Sequence, residues 1–273
     1  MPNWLVWLLL ASFSALAQAE ETSERLTLRG DFIQGGLIVG NSSFPVESVK
    51  IGQVKVPVHP NQKLFVFGFG RDASDSDILK IEFKDGFLYE KTFEIEQRQY
   101  KIDKVNGVAS KYVSPPDTVL QRIRNDSKMV KEARAKMSFR TDFTQPVILP
   151  AEGRISGVYG SQRIFNGVPK RPHFGMDIAA PTGTKVIAPW PGKVVLAKPD
   201  LYYSGGTLII DHGLGVTSTY IHLSKLHVNE GQVVTQGQKI ADIGATGRVT
   251  GPHLDWRLNW FTRRLDPQLL LEQ

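Results

Sequence analysis

Short runs rich in β-branched and aromatic residues, each closed by Gly, Asn, Asp or Pro, follow one another from Arg25 to about Lys104 with no helical period between them. They read "RLTLRG", "GLIVG", "VESVKIGQVKVPV", "KLFVFGFG", "ILKIEFK" and "LYEKTFEIEQRQY". Runs too short for helices, at this spacing, predict strands of a small antiparallel β-sandwich over residues 20–110. Its one histidine, His59 in "VPVHPNQ", reads as a turn residue. No cluster of histidines and carboxylates occurs here, so the module is expected to pack or bind and not to carry chemistry.

The period changes in "SPPDTVLQRIRNDSKMVKEARAKM". Two prolines ahead of Asp117 suit a helix start, and Leu120, Ile123, Val130 and Met137 fall near one face, which predicts a basic helix from Asp117 to Met137 within a connector over residues 111–144. The proline-containing "SFRTDFTQPVILPAEG" then reads as extended chain leading into a second domain, residues 145–273. That domain is again rich in strand-like runs: "TKVIAPW", "GKVVLAK", "GTLIIDH", "GVTSTYIHL", "QVVTQGQKIADIG" and "HLDWRLNW". The predicted fold class is therefore mostly β: an N-terminal antiparallel sandwich, a helical connector and a C-terminal β-rich domain.

The 273-residue chain opens with "MPNWLVWLLLASFSALAQA", one short apolar run ending in a small-x-small pattern before the first charge at Glu20. Residues 1–19 read as a secretory signal peptide, although no Lys or Arg precedes the apolar run, and the expected location is outside the cytoplasm, most plausibly the periplasm. No later segment predicts a transmembrane span in the mature chain. With no cysteine present, disulfides, thiolate catalysis and thiolate metal ligands are excluded, and any metal must be held by His and carboxylates. The net charge of +6 suits anionic surroundings such as a cell wall. An exported chain is not expected to bind nucleic acid.

Five of the six histidines lie in the second domain. In "RPHFGMDIAAPTGTKV", His173 stands four residues before Asp177, a spacing from which both could converge on a cation. In "STYIHLSKLHV", strict alternation would put Ser218, Tyr220 and His222 on one face, with Tyr220 and His222 toward a common groove and Ile221 and Leu223 behind. His212 and His227 read as turn or surface residues. In "HLDWRLNW", alternation sends Leu254, Trp256, Leu258 and Trp260 into a core and His253, Asp255, Arg257 and Asn259 to a wet face.

Taken in order, His-x-x-x-Asp, then Tyr-x-His-Leu-Ser, then Thr-Gly-x-x-x-Gly-Pro-His-Leu-x, together with "GTKVIAPWPGKVV" and "EGQVVTQGQKIADIGATG", resemble the lysostaphin/LytM-type zinc metalloendopeptidases. The resemblance covers roughly Gly153 to Leu258. It implies hydrolysis of peptidoglycan peptide cross-links by a metal-activated water, with one Zn²⁺ or similar divalent ion per chain. His173 and Asp177 match the first two metal ligands, and His222 and His253 match the two histidines that handle protons and the developing oxyanion. The third ligand of the family is the second histidine of a His-x-His motif, and that position is Asp255 here. A carboxylate can ligate zinc at nearly the imidazole distance. It leaves a divalent ion formally neutral, however, where the family's set leaves +1, so a weaker Lewis acid is expected.

Arg257, two residues along on the same face, is assigned either to substrate, with Tyr220, or to an ion pair that holds Asp255 from the metal. The second option matches relatives of this family that have lost ligands and act as non-catalytic binders of peptidoglycan or activators of cell-wall amidases and other envelope proteins. The hairpin "EGQVVTQGQKIADIG" also resembles lipoyl and biotinyl carriers, but Lys239 falls inside a predicted strand and no lysine occupies the tip. The amino-terminal module is expected to restrain the catalytic domain.

Overall fold

The computed structural model describes residues 20–106 and 115–271. The signal-peptide segment and the start of the connector, residues 111–114, lie outside the described residues. Strands β1 (Glu20–Thr22), β2 (Leu26–Arg29), β3 (Leu37–Ser42) and β6 (Leu64–Gly68) form one antiparallel sheet. Strands β4 (Val46–Ile51), β5 (Val54–Val56), β7 (Ser76–Phe83) and β8 (Leu88–Glu94) form the other, in the order β5-β4-β7-β8. The reason is visible in β7, where Leu79, Ile81 and Phe83 are buried while Lys80 and Glu82 between them are exposed. These side chains meet Leu26, Leu28, Ile38, Val49, Phe65 and Phe67 in one core, so each expected run forms a strand of a two-sheet sandwich.

That core does not stop at the sandwich. It continues into Trp190, Leu214, Val216, Leu258, Trp260 and Leu265 of the C-terminal half. Gly68 makes the junction possible: a Cβ there would lie 2.7 Å from a Leu265 methyl. A second tie is the parallel pairing of β9 (Ile102–Val105) with β11 (Gln162–Phe165), two segments that carry no strand-like apolar run.

The connector helix, α1, spans Asp117–Ala135 and ends short of Met137, which is exposed. Met129, Val130 and Ala133 pack on Leu196, Leu201 and Ile209. No helix among the described residues is long and apolar enough to cross a membrane.

The C-terminal half is organised by a sheet in the order β10-β13-β20-β17-β16-β15-β18. These strands are β10 (Arg154–Gly157), β13 (Met176–Ala179), β15 (Gly192–Leu201), β16 (Gly205–Gly213), β17 (Val216–Leu226), β18 (Val233–Val234) and β20 (His253–Trp260). Met176, Ile178, Tyr220, Leu223, Leu254 and Trp256 bury one face of its centre. The opposite face of the β13-β20-β17 centre is where the polar residues gather.

Candidate metal centre

Strand pairing alone brings two carboxylates together. Asp177 on β13 lies directly opposite Asp255 on β20, and Asp255 is opposite Ile221 on β17. Like charges directly across a ladder repel and need a compensating cation. His173 arrives from the loop before β13, fixed at its backbone by Gly160 N–H donating to the His173 carbonyl and His173 N–H donating to the Ser161 carbonyl, both at 2.8 Å. Its Nε2 is 3.2 Å from Asp177 Oδ1, and its Nδ1 is 3.9 Å from Asp255 Oδ2. One ligating atom from each of the three residues falls within 4.8 Å of the others. Two glycines clear the space: a Cβ at Gly157 would sit 2.4 Å from Asp177 Oδ2, and one at Gly175 would sit 2.5 Å from Asp255 Oδ1.

Both ring nitrogens of His173 are buried and have no hydrogen-bond partner. A buried imidazole with neither nitrogen satisfied is costly unless something else binds it. Beside two carboxylates, a cation would satisfy it. Asp255 introduces a second partner: Arg257 Nε donates to its Oδ1 at 2.8 Å and Nη2 donates to its Oδ2 at 2.6 Å. Burial by itself would raise the Asp255 carboxyl, but the Arg257 guanidinium, with His173 nearby, holds it well below the usual carboxylate range. Each carboxylate oxygen keeps a second lone pair after accepting one N–H. The donor set of His173, Asp177 and Asp255 therefore fits a divalent cation, with Asp255 shared between the ion and Arg257.

The two remaining histidines flank this trio. The His222 and His253 rings lie with centroids 4.8 Å apart, and His253 Nε2 is 3.8 Å from Asp177 Oδ1. Each is anchored in the same way: His222 Nδ1 donates to the Thr246 carbonyl at 2.8 Å, and His253 Nδ1 donates to the Gly251 carbonyl at 2.9 Å. Because carbonyls only accept, the anchored proton sits on Nδ1 and leaves Nε2 as the proton-exchanging nitrogen of the neutral ring. Burial lowers His222 to about 4, with Asp255 pulling it up and His253 pushing it down.

His222 reaches this face through a break in alternation. Three residue steps on β17, from Tyr220 to Leu223, oppose two steps on β16, from Leu208 to Gly206, and His222 takes φ 67° in the bulge. Tyr220 therefore stays on the core face, fully buried with Leu223 and Trp256, and does not reach the groove. Ile221, expected to pack behind, lies opposite Asp255 instead.

His212 also departs from the sequence reading: it is fully buried, with Nδ1 donating to the Pro191 carbonyl and Nε2 accepting from Ser218 Oγ, which contacts Tyr220 Oη at 2.8 Å. The polar alternation of β17 thus serves an internal network. His227 is on the surface as expected, against Asp242 at 2.7 Å. Nor is the polar face of β20 uniformly wet, since Asp255 and Asn259 are fully buried. Thr246 and Gly251 belong to the Thr-Gly-x-x-x-Gly-Pro-His motif, but nothing in the sequence marks their carbonyls as anchors for the two histidines, nor Gly157 and Gly175 as the clearance around the carboxylates.

Residues 171–267 match peptidase family M23. The chain is 44% identical over 107 residues to the peptidoglycan DD-endopeptidase ShyA of Vibrio cholerae, a match covering 38% of this chain and 24% of that one. It is 32% identical over 124 residues to the murein hydrolase activator NlpD of Escherichia coli, covering 45% and 31%. It therefore spans less than a third of the length of either relative. A solved structure of a putative peptidase M23 from Pseudomonas aeruginosa is similar at 26% identity and TM-score 0.67, over 88% of this chain and 95% of that one.

Proposed function

With residues 171–267 a peptidase family M23 domain, we propose that the chain is a metal-dependent endopeptidase that hydrolyses peptide cross-links of peptidoglycan in the cell envelope. The observation that carries this reading is His173, buried between two carboxylates with both ring nitrogens unsatisfied. His173, Asp177 and Asp255 would hold the ion, with zinc the natural occupant of a mixed imidazole and carboxylate set. When bound, such an ion supplies Lewis-acid polarisation of a scissile carbonyl.

Charge counting supports the same reading. Asp177 and Asp255 carry −2 and Arg257 returns +1, so a divalent cation brings the group to a formal +1. That equals the sum for two imidazoles, one carboxylate and the same ion. The loss expected from replacing a histidine by Asp255 is offset by Arg257 at 2.6 Å. His222 and His253, tethered at Nδ1, would exchange protons through Nε2 with the attacking water and the leaving amine, a role worth about 10²- to 10⁴-fold in rate.

The bidentate Arg257–Asp255 pair also motivates the second reading, a non-catalytic domain that binds peptidoglycan or activates an amidase, as the relative NlpD is named for doing with murein hydrolases. Metal analysis and muropeptide cleavage separate the two. The endopeptidase reading expects close to one zinc per chain, lost in His173→Ala, and release of cross-link fragments. Protein that stays metal-free in excess zinc at neutral pH, and cleaves nothing, sinks it in favour of the activator.

A further inference from the structure

The polar face of β20 does not end at the metal centre. Along the strand, Asp255 belongs to the ion site, Arg257 pairs with it, and Asn259, roughly 13 Å from Asp255 at the usual rise, lines a different cavity. That cavity, of about 360 Å³, lies between α1 and the turn joining β20 to β21 (Arg263–Leu265). Lys131, Arg134 and Arg264 line it, Val130, Ala135 and Phe261 supply apolar wall, and no acidic side chain lines it among the described residues.

Its arginines are under-satisfied. Arg134 is 8% exposed, and its Nη2 donates to Thr219 Oγ1 at 3.1 Å while its Nε is buried without a partner. Arg264 Nη1 is likewise buried without a partner, as is Asn259 Oδ1. Burial, followed by the field of Arg264 and Arg257, pushes the Arg134 guanidinium well below its ordinary value, and burial followed by Arg257 lowers Arg264 to about 10. Asp255 is the carboxylate that opposes this repulsion at both arginines, and Arg257 already occupies it. Buried cations with open donors are stable where an anion completes them.

We propose that the cavity between α1 and β20–β21 is a second site, for a small oxyanion, carboxylate or phosphate, carried on a short apolar body. Lys131, Arg134 and Arg264 supply the charge. Asn259, whose Nδ2 donates to the Arg263 carbonyl, turns Oδ1 to accept a proton from an N–H or O–H next to the anion. The site adjoins the metal centre without sharing a ligand with it: Arg134 bonds Thr219, and Thr219 lies directly opposite Arg257, the partner of Asp255.

Calorimetric titration of the full chain at constant ionic strength tests this, with sodium phosphate in one series and sodium N-acetylglycinate, a minimal peptide carboxyl terminus, in another. The expected result is saturable one-to-one binding of at least one probe, weakened ten-fold or more by Arg134→Met and by Arg264→Met. Preference for phosphate assigns the ligand to phosphate esters, and preference for N-acetylglycinate to peptide termini. Arg134→Met removes a buried, partly unsatisfied charge and is expected to fold, while Arg264→Met provides an independent variant. His173→Ala is expected to leave the affinity unchanged, so failure of the metal reading does not disturb this result. Heats of dilution alone for both probes, or affinities unmoved by both variants, overturn the proposal.

Discussion

Asp255 and Arg257 form one bidentate pair, so neither residue's charge can be counted without the other. Their spacing on one strand face was readable in the sequence, and so was the choice between a ligand and an ion pair; the structure lets the carboxylate serve both, because Arg257 approaches both oxygens and leaves lone pairs for a cation. Asp255→His alone should therefore raise the formal charge of the loaded group from +1 to +2 and weaken zinc binding by about ten-fold or more, since one charge at this range is worth more than 1.4 kcal/mol. Asp255→His with Arg257→Met returns it to +1 and should recover affinity. Competition against a chromogenic chelator measures both, and a single variant that binds zinc more tightly than wild type contradicts the charge argument. His212 is the residue that sequence reasoning missed, because a histidine in "DHG" looks like any turn. Burial lowers it to about 4, against about 6.5 unfolded. As pH falls from about 6.5 to 4 the unfolded chain gains a proton that the folded chain refuses, so stability is lost across that window, by up to about 3 kcal/mol, and levels off below it. His212→Asn should flatten that part of the urea-denaturation profile relative to wild type, whatever its effect at pH 7.

At the scale of elements, the strands were legible wherever a run of apolar residues had to be buried, in β7 as in β20. Strand faces were less so. A strict period of two assigns Tyr220 and His222 to the same side, and the left-handed turn at His222 that breaks it is not readable in the sequence, since even histidine, which favours this region more than most side chains, adopts it only rarely. The pair β9–β11 was invisible for a different reason: its four-residue segments mix polar and apolar residues without a run, and their parallel pairing joins parts of the chain far apart in sequence. The entry to β13, paired antiparallel with β20, tolerates no side chain at Gly175, where a Cβ would meet Asp255 Oδ1 at 2.5 Å and the Trp256 carbonyl at 2.6 Å. Because one of those neighbours is backbone, Gly175→Ala cannot be absorbed by a rotamer change. It should cost roughly 1–3 kcal/mol, as overpacking does, and lower zinc affinity by displacing Asp255, although it alters no ligand. Unchanged zinc binding with unchanged thermal midpoint in this variant would contradict a tight approach of Gly175 to β20.

On the scale of the whole molecule, the mostly β character was legible but the shared core was not, because apolar residues that fill one core look in sequence like members of two separate ones. Trp190, Leu214, Val216, Leu258, Trp260 and Leu265 belong to the core of the sandwich as much as to their own half. Full exposure of side chains of this size costs about 1.5–3 kcal/mol each, and a domain's net stability is only about 5–15 kcal/mol. The segment from Gln145 to Gln273 should therefore be insoluble or poorly folded when expressed alone, which removes the simplest test of whether the sandwich restrains the metal centre. Point changes at the contact supply a better one. Arg71 Nε donates to the Gly160 carbonyl at 2.7 Å, and the Tyr100 ring lies against Gly160 where a Cβ would be 2.0 Å from its edge. Gly160 in turn holds the backbone of His173. Through this chain of contacts the sandwich braces the loop that carries His173, a proposed metal ligand, so loosening it should harm the site and not release it. Arg71→Ala is expected to lower zinc affinity by about ten-fold, the scale on which outer partners of metal ligands act, with cleavage falling in parallel. Faster cleavage at unchanged zinc affinity would instead make the sandwich a restraint on the groove.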